Sequence, residues 1–346
     1  MKRLALILLL FTLTACAPRL VQGALTPGAD FSGPHFEQTT VVSFDGARLG
    51  LKTWQAEGEP WAVVVAVHGM NDYSNAFHLA APEWAKAGVT TYAYDQRGYG
   101  RSPGRGLWGG RALMTEDLRT VVALAHAQNP KALVAVVGES LGGSVAITAF
   151  ASDRPPAAER LVLLSPGVWG WNTQPLPNKT LLWLAAHLTG PKVYEPPEWL
   201  TRKIKPTDNI DELRAMGRDP LMIWGARSDA IWGVVSMMDD AADAAGDVSV
   251  PTLYLYGEHD QIIPKKAAFR AARRLKSTDR SAYYAQGWHL LTRDHQREVV
   301  IADILAFLRD PKAPLPSGAP VIPRAPTLAN TAPAAVASGR DGPAEP

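Results

Sequence analysis

Apolar residues along this 346-residue chain come in short unbroken runs, separated by longer amphipathic stretches. Trp61–Val67 and Ala132–Val137 are continuous runs of valine, alanine and leucine, the pattern of strands buried on both faces. Val89–Tyr94, Arg160–Leu164, Thr252–Tyr256 and Ser281–Ala285 read as further strands. Near the beginning, Thr39–Phe44 and Arg48–Trp54 flank Asp45-Gly46, a turn pair that predicts a β-hairpin. Helical patterns fill the gaps: Pro82–Ala87, Thr115–Ala127 with Thr115 as its cap, Gly143–Phe150, Lys265–Leu275 and Arg293–Leu308. Strands alternating with helices predict an α/β fold, a mostly parallel sheet with helices on both faces.

The alternation fails between residues 166 and 245. This insertion holds Trp169, Trp171, Trp183, Trp199, Trp224 and Trp232 of the chain's 11 tryptophans, and Leu181–Leu188 within it reads as an amphipathic helix. These aromatics either fill a small helical subdomain or form a lid whose apolar residues line an acyl pocket or meet a membrane. The expectation is a lid with some apolar residues facing the pocket.

The two ends have their own character. Met1-Lys2-Arg3 followed by the apolar run Leu4–Phe11 is too short to span a bilayer and reads as a signal peptide. Leu13-Thr14-Ala15-Cys16 resembles a bacterial lipobox, so Cys16, the chain's single cysteine, is the expected lipidation site. Ala17 after it lacks the aspartate that often retains lipoproteins at the inner membrane, which leans toward an outer membrane facing the periplasm. With no other cysteine, internal disulfides and a cysteine nucleophile are excluded. Nine prolines in residues 311–346 predict a tail without a packed core. The resulting division is a signal peptide at 1–15, a tether at 16–35, a catalytic domain at 36–310 with its insertion at 166–245, and a disordered tail at 311–346.

Charge narrows the partners. The formal net charge is +2, and without Lys2 and Arg3 the basic and acidic residues balance, which argues against a nucleic-acid partner. The sequence leaves the oligomeric state open, and no residue cluster suggests a metal or other cofactor.

The chemistry centres on Gly138-Glu139-Ser140-Leu141-Gly142, a G-x-S-x-G pattern between a buried strand and a small-residue helix. That context is the nucleophile elbow of α/β-hydrolases, where the serine sits on a sharp turn with its hydroxyl exposed above the sheet. A serine hydroxyl needs a histidine to take its proton and a carboxylate to orient that histidine. The acid should follow a late strand and the base should come last. Asp260, after Thr252–Tyr256, and His289, in Gly287-Trp288-His289, satisfy that order. Asp229, Asp239 and His295 are weaker rivals. Oxyanion donors are expected from the backbone N–H groups of Leu141 and of Met70, in the loop after Val67. His68 precedes the serine and reads as a structural hydrogen-bonding residue beneath that loop.

Taken in order, His68-Gly-Met-Asn-Asp-Tyr-Ser74, Asp95-Gln-Arg-Gly-Tyr-Gly-Arg-Ser102, the elbow, Asp219-Pro-Leu221, Gly257-Glu-His-Asp260 and Gly287-Trp-His289 resemble the monoacylglycerol lipase and lysophospholipase branch of the α/β-hydrolases. The resemblance covers roughly Val41 to Leu308. It implies Ser140, Asp260 and His289 as catalytic residues, Met70 and Leu141 as oxyanion donors, and a structural role for Asp95–Ser102. The chain departs from that family in carrying Glu139 and Leu141 around the serine, where histidine and methionine are usual. The expected activity is hydrolysis of monoacylglycerol or lysophospholipid esters. An aminopeptidase or a thioesterase on the same triad is the enzymatic alternative, and a non-catalytic lipid- or partner-binding lipoprotein the other. Dehalogenases and epoxide hydrolases place aspartate where Ser140 stands.

Overall fold

The computed structural model describes residues 20–323. The leader with Cys16, and the tail from residue 324, lie outside the described residues. The strands are β1 (His35–Phe36), β2 (Thr40–Val42), β3 (Arg48–Trp54), β4 (Ala62–Val67), β5 (Val89–Tyr94), β6 (Leu133–Glu139), β7 (Arg160–Leu164), β8 (Val193–Tyr194), β9 (Ala226–Arg227), β10 (Thr252–Gly257) and β11 (Arg280–Tyr284). A nine-stranded sheet runs β1-β2-β3-β5-β4-β6-β7-β10-β11, and β8 pairs with β9 alone. From β5 across to β11 neighbouring strands are parallel, while β1, β2 and β3 are attached antiparallel.

The continuous apolar runs follow from burial on two sides. Every residue of β4 is fully buried. Val63, Val65 and Val67 point into a core with Leu118, Val121 and Val122 of the helix Arg111–Gln128. Ala62, Val64 and Ala66 point into a second core with Phe77, Trp84 and Phe307. A strand between two helical layers has no polar face, so alternation is absent from its sequence.

The hairpin forms over Asp45-Gly46, with Thr40 opposite Gly50 and Val42 opposite Arg48. Asp45 also takes part in a buried ion cluster. Arg97 donates to Asp45 at 2.7 and 2.9 Å and to Asp117 at 2.6 and 2.8 Å, and all three side chains are almost wholly buried. Arg97→Met would strand two buried carboxylates, so a loss of about 3–5 kcal/mol in unfolding free energy is expected. Urea unfolding checks this, and a loss below about 1 kcal/mol would contradict the structural role given to this loop.

Several boundaries differ from the sequence reading. The helix expected to begin at Thr115 begins at Arg111, after Gly110 at φ +80°. Thr115 is therefore internal, and its hydroxyl donates back to the Arg111 carbonyl at 3.0 Å. The last helix runs Arg297–Arg309, because Arg293 and Asp294 are drawn into buried side-chain contacts ahead of it; His295 lies in the turn before that helix.

The tail is ordered as far as described. Leu315 and Ile322 are buried, Ser317 Oγ donates to Asp303 at 2.6 Å, and the Pro320 carbonyl accepts from Tyr283 N at 2.8 Å. Proline-rich backbone still offers carbonyls and occasional apolar side chains, and here it covers the edge strand β11. The tether also lies on the domain from residue 20, where Gln22 N donates to Trp108 O at 2.9 Å and Leu25 N to Asp45 at 2.8 Å.

Between β7 and β10 stand the helices Leu176–Leu188, Glu198–Lys203, Ile210–Arg218 and Ser228–Ala244, with the β8–β9 ribbon. Trp183 stacks on His187, which meets Trp232 edge-on, and Trp171 leans against Trp232, while Leu181, Trp183, Leu188, Trp199 and Trp224 are exposed. Part of the aromatic content thus fills this small unit and part faces outward.

Candidate active site

The sequence-predicted residues stand at the carboxyl ends of parallel strands, where α/β sheets place their sites. Ser140 follows β6 directly and caps the helix Leu141–Phe150 at φ +51°, ψ −117°, a strained conformation for a residue with a side chain. Three backbone hydrogen bonds hold it there: Ser140 N donates to Leu164 O at 3.0 Å, and its carbonyl accepts from Gly167 N at 2.7 Å and Ser144 N at 3.2 Å. Gly142 is required by proximity, since a Cβ there would lie 2.0 Å from the Val67 carbonyl oxygen.

Asp260 and His289 meet. His289 Nδ1 donates to Asp260 Oδ2 at 2.9 Å, which leaves Nε2 as the free ring nitrogen. The other carboxylate oxygen of Asp260 accepts from Ile262 N at 2.8 Å and Ile263 N at 2.9 Å, so the acid cannot swing away. Burial alone would lower the His289 pKa, but the Asp260 carboxylate, with Glu139 behind it, outweighs this and leaves it raised. Ser140, Asp260 and His289 are each buried. The Ser140 hydroxyl makes no hydrogen bond to His289 in this conformation; such bonds in free enzymes commonly tighten only around substrate. The rival acids are engaged elsewhere, Asp229 with Arg227 and Leu20 N, Asp239 with Asn172.

Leu141 opens its helix, so its N–H belongs to the first-turn donors that lack an internal acceptor. Gly69 lets the loop carrying Met70 approach, because a Cβ there would be 3.2 Å from Ser140 Cβ. His68 fixes that loop from beneath. Its Nδ1 donates to Gly69 O at 2.7 Å and its Nε2 accepts from Gln96 N at 2.9 Å, which sets a neutral tautomer; burial holds its pKa low. Asp95 likewise serves structure, accepting from Ser74 N at 2.7 Å and Arg101 N at 2.9 Å. Behind Met70 a narrow apolar space is walled by Tyr99, Leu107, Ile223 and Ala230.

The insertion is knitted to the site. The Pro206 carbonyl accepts from His289 N at 3.0 Å and Leu290 N at 2.9 Å. Asp294, pushed up to about 6 chiefly by burial, accepts from Thr207 Oγ1 at 2.7 Å and Trp288 N at 2.7 Å. Tyr73 donates to Asp219 at 2.6 Å, and Ile223 N to the Asn71 carbonyl at 3.0 Å. Sequence reasoning marked Asp219 as part of a motif but missed Pro206, Thr207 and Arg293. Nothing in the local sequence signals a carbonyl acceptor or a buried arginine, which the fold alone brings together.

A parallel sheet with a strained serine after its central strand, and an aspartate–histidine pair on later loops, defines an α/β-hydrolase. The family model described as serine aminopeptidase, S33, matches residues 58–296, and the chain belongs to that family. Within the superfamily it falls in the branch of the monoacylglycerol lipases. It is 24% identical over 278 residues to a monoacylglycerol lipase of Mycolicibacterium smegmatis, covering 76% of this chain and 93% of that one. To the monoglyceride lipase of Rattus norvegicus it is 25% identical over 268 residues, covering 75% and 86%. A soluble variant of the Saccharomyces cerevisiae monoglyceride lipase, solved with a substrate analog, shares the fold with a TM-score of 0.66 at 18% identity, covering 83% of this chain and 98% of that one.

Proposed function

We propose that this chain is a serine esterase that hydrolyses single-chain lipid esters, monoacylglycerols first, through an acyl-enzyme. The carrying observation is the Asp260–His289 hydrogen bond on loops beside the strained Ser140. In this reading Ser140 Oγ attacks the ester carbonyl as His289 Nε2 takes its proton. The developing oxyanion is received by the N–H groups of Met70 and Leu141. His289 then returns the proton to the departing glycerol oxygen, and water, activated by the same histidine, releases the fatty acid.

The aminopeptidase reading needs a free carboxylate to receive a substrate ammonium group. The buried carboxylates of the oxyanion loop, the elbow and the insertion, Asp72, Glu139 and Glu212, already face Arg293. The narrow space behind Met70 is walled mainly by apolar residues and offers no carboxylate either. With monoacylglycerols of increasing chain length, a lysophospholipid, an acyl thioester and aminoacyl amides as substrates, kcat/KM for a medium- or long-chain monoacylglycerol should exceed that for any aminoacyl amide by roughly 100-fold or more. The reverse order would assign the chain as a peptidase.

We also propose that the protein is a lipoprotein of the bacterial envelope, anchored through Cys16. The basic start, short apolar run and Leu13–Cys16 support this. Cys16→Ser should move the protein from the membrane fraction to the soluble one, and an unchanged distribution would remove the anchor from the reading.

A further inference from the structure

Four residues past His289, the side chain of Arg293 lies wholly inside the protein, 2% exposed. Its Nη1 lies 2.7 Å from Asp72, two residues beyond Met70, and its Nη2 donates at 2.7 Å to Glu139, the residue before Ser140. Nη1 also lies 3.8 Å from Glu212, on the insertion helix Ile210–Arg218. One guanidinium on the base loop thus reaches side chains from the oxyanion loop, the elbow and the insertion. The mechanism above uses none of these four charges, and isolated charges are seldom buried without a reason.

We propose, resting on the serine-hydrolase reading, that Arg293 is a positioning residue. By gripping Asp72 and Glu139 at once it sets the spacing of oxyanion donors, nucleophile and base, and through Glu212 it ties that spacing to the insertion. The planar fork matters because a lysine offers a point charge that cannot bridge two carboxylates in fixed directions. The arrangement also reaches His289 electrically. The charged groups around that ring are Asp260 from the acid loop, Glu139 from the elbow and Arg293 from its own loop, with Asp72 and Glu212 on the guanidinium. Outside these, His78 faces Glu212 at 3.4 Å, and Asp294 and Asp208 lie on the far side of the base loop. Burial raises the Glu139 pKa, Arg293 and His289 oppose that rise, and Glu139 Oε2 has no hydrogen-bond partner.

The test is the rate at which an alkyl fluorophosphonate labels Ser140 in the full chain. Ser140 Oγ bonds to phosphorus, fluoride leaves, His289 takes the hydroxyl proton, and the phosphoryl oxygen occupies the oxyanion site, so the rate reads positioning whatever the natural substrate. Failure to hydrolyse monoacylglycerol with fast labelling would count against the substrate assignment and leave the role of Arg293 standing. Arg293→Lys is expected to label at least tenfold more slowly per mole of folded protein, with monoacylglycerol kcat reduced more than KM is raised. Glu139→Gln removes a carboxylate that favours protonated His289, so the acid limb of its labelling profile should move down by roughly half a unit. Wild-type labelling by Arg293→Lys at a wild-type thermal midpoint overturns the proposal. If Arg293→Lys does not fold, Glu139→Gln decides, because it removes the charge from the Nη2 contact with little change of shape, and a wild-type labelling rate on the pH plateau overturns the proposal.

Discussion

Ser140→Ala is expected to lower monoacylglycerol hydrolysis by roughly 10⁴-fold or more while leaving the fold intact. Both halves of that expectation come from the same local geometry. The hydroxyl takes no part in the hydrogen bonds that hold the turn, so its removal breaks none of them. The elbow is held by the Ser140 backbone, through Leu164, Gly167 and Ser144, and alanine keeps all three bonds. Alanine meets the same strain at φ +51° as serine does, so the variant inherits the conformation without a new cost. The Met70 and Leu141 N–H groups survive, and a small residual rate above the uncatalysed one is expected from them. Turnover per mole, beside a thermal midpoint within about two degrees of wild type, checks the prediction. Activity within tenfold of wild type would remove Ser140 as nucleophile.

How much of this was visible in the sequence follows from what each feature depends on. The elbow was legible because part of its constraint is local: a Cβ on Gly138 would lie 2.7 Å from the carbonyl oxygen of Gly142 in the same motif, and no distant residue is needed to say so. The parallel strands were legible because two-sided burial leaves no polar positions in β4, or in β6 before Glu139. Asp260 and His289 could be chosen from chain order, although their hydrogen bond joins residues 29 apart and only the fold brings them together. The start of the helix at Arg111 was missed because a glycine cap at positive φ leaves no side-chain signature, whereas Thr115 looked like one. The packed stretch 311–323 was missed because its composition is that of an unpacked chain, and its contacts are to an edge strand far back in sequence. Glu139 was seen as a departure without a purpose. Its partner Arg293 is 154 residues away, on a loop that local pattern assigned to a helix. Buried charge pairs between distant loops are the part of a fold that sequence patterning hides most completely.

Asp260→Asn separates the orienting role of the acid from simple charge. The carboxylate divides its work: one oxygen accepts from Ile262 N and Ile263 N, the other from His289 Nδ1. Asparagine has a single acceptor oxygen. Keeping it on the two isoleucine N–H groups saves two hydrogen bonds, whereas turning it toward His289 saves one and sets the amide donors against two other donors. The first orientation wins, and it presents NH₂ to His289 Nδ1. The ring must then accept at Nδ1 and carry its proton on Nε2, the nitrogen that has to receive the Ser140 proton. A loss in kcat of about 10⁴-fold is expected for that reason, as for the same replacement in the serine protease triad. The pH dependence moves with it. The base works when neutral, and Asp260 is the main group holding the His289 pKa above its ordinary value against burial. With the carboxylate gone, His289 loses its proton at lower pH, so the acid limb of kcat/KM should shift downward even as the plateau collapses. A kcat/KM profile of the variant from pH 4 to 9 reads both. A variant that loses activity without moving the limb would mean that the acid acts only through structure. One that keeps activity within tenfold would place the orienting carboxylate elsewhere, a position neither Asp229 nor Asp239 can fill while tied to Arg227 and Asn172.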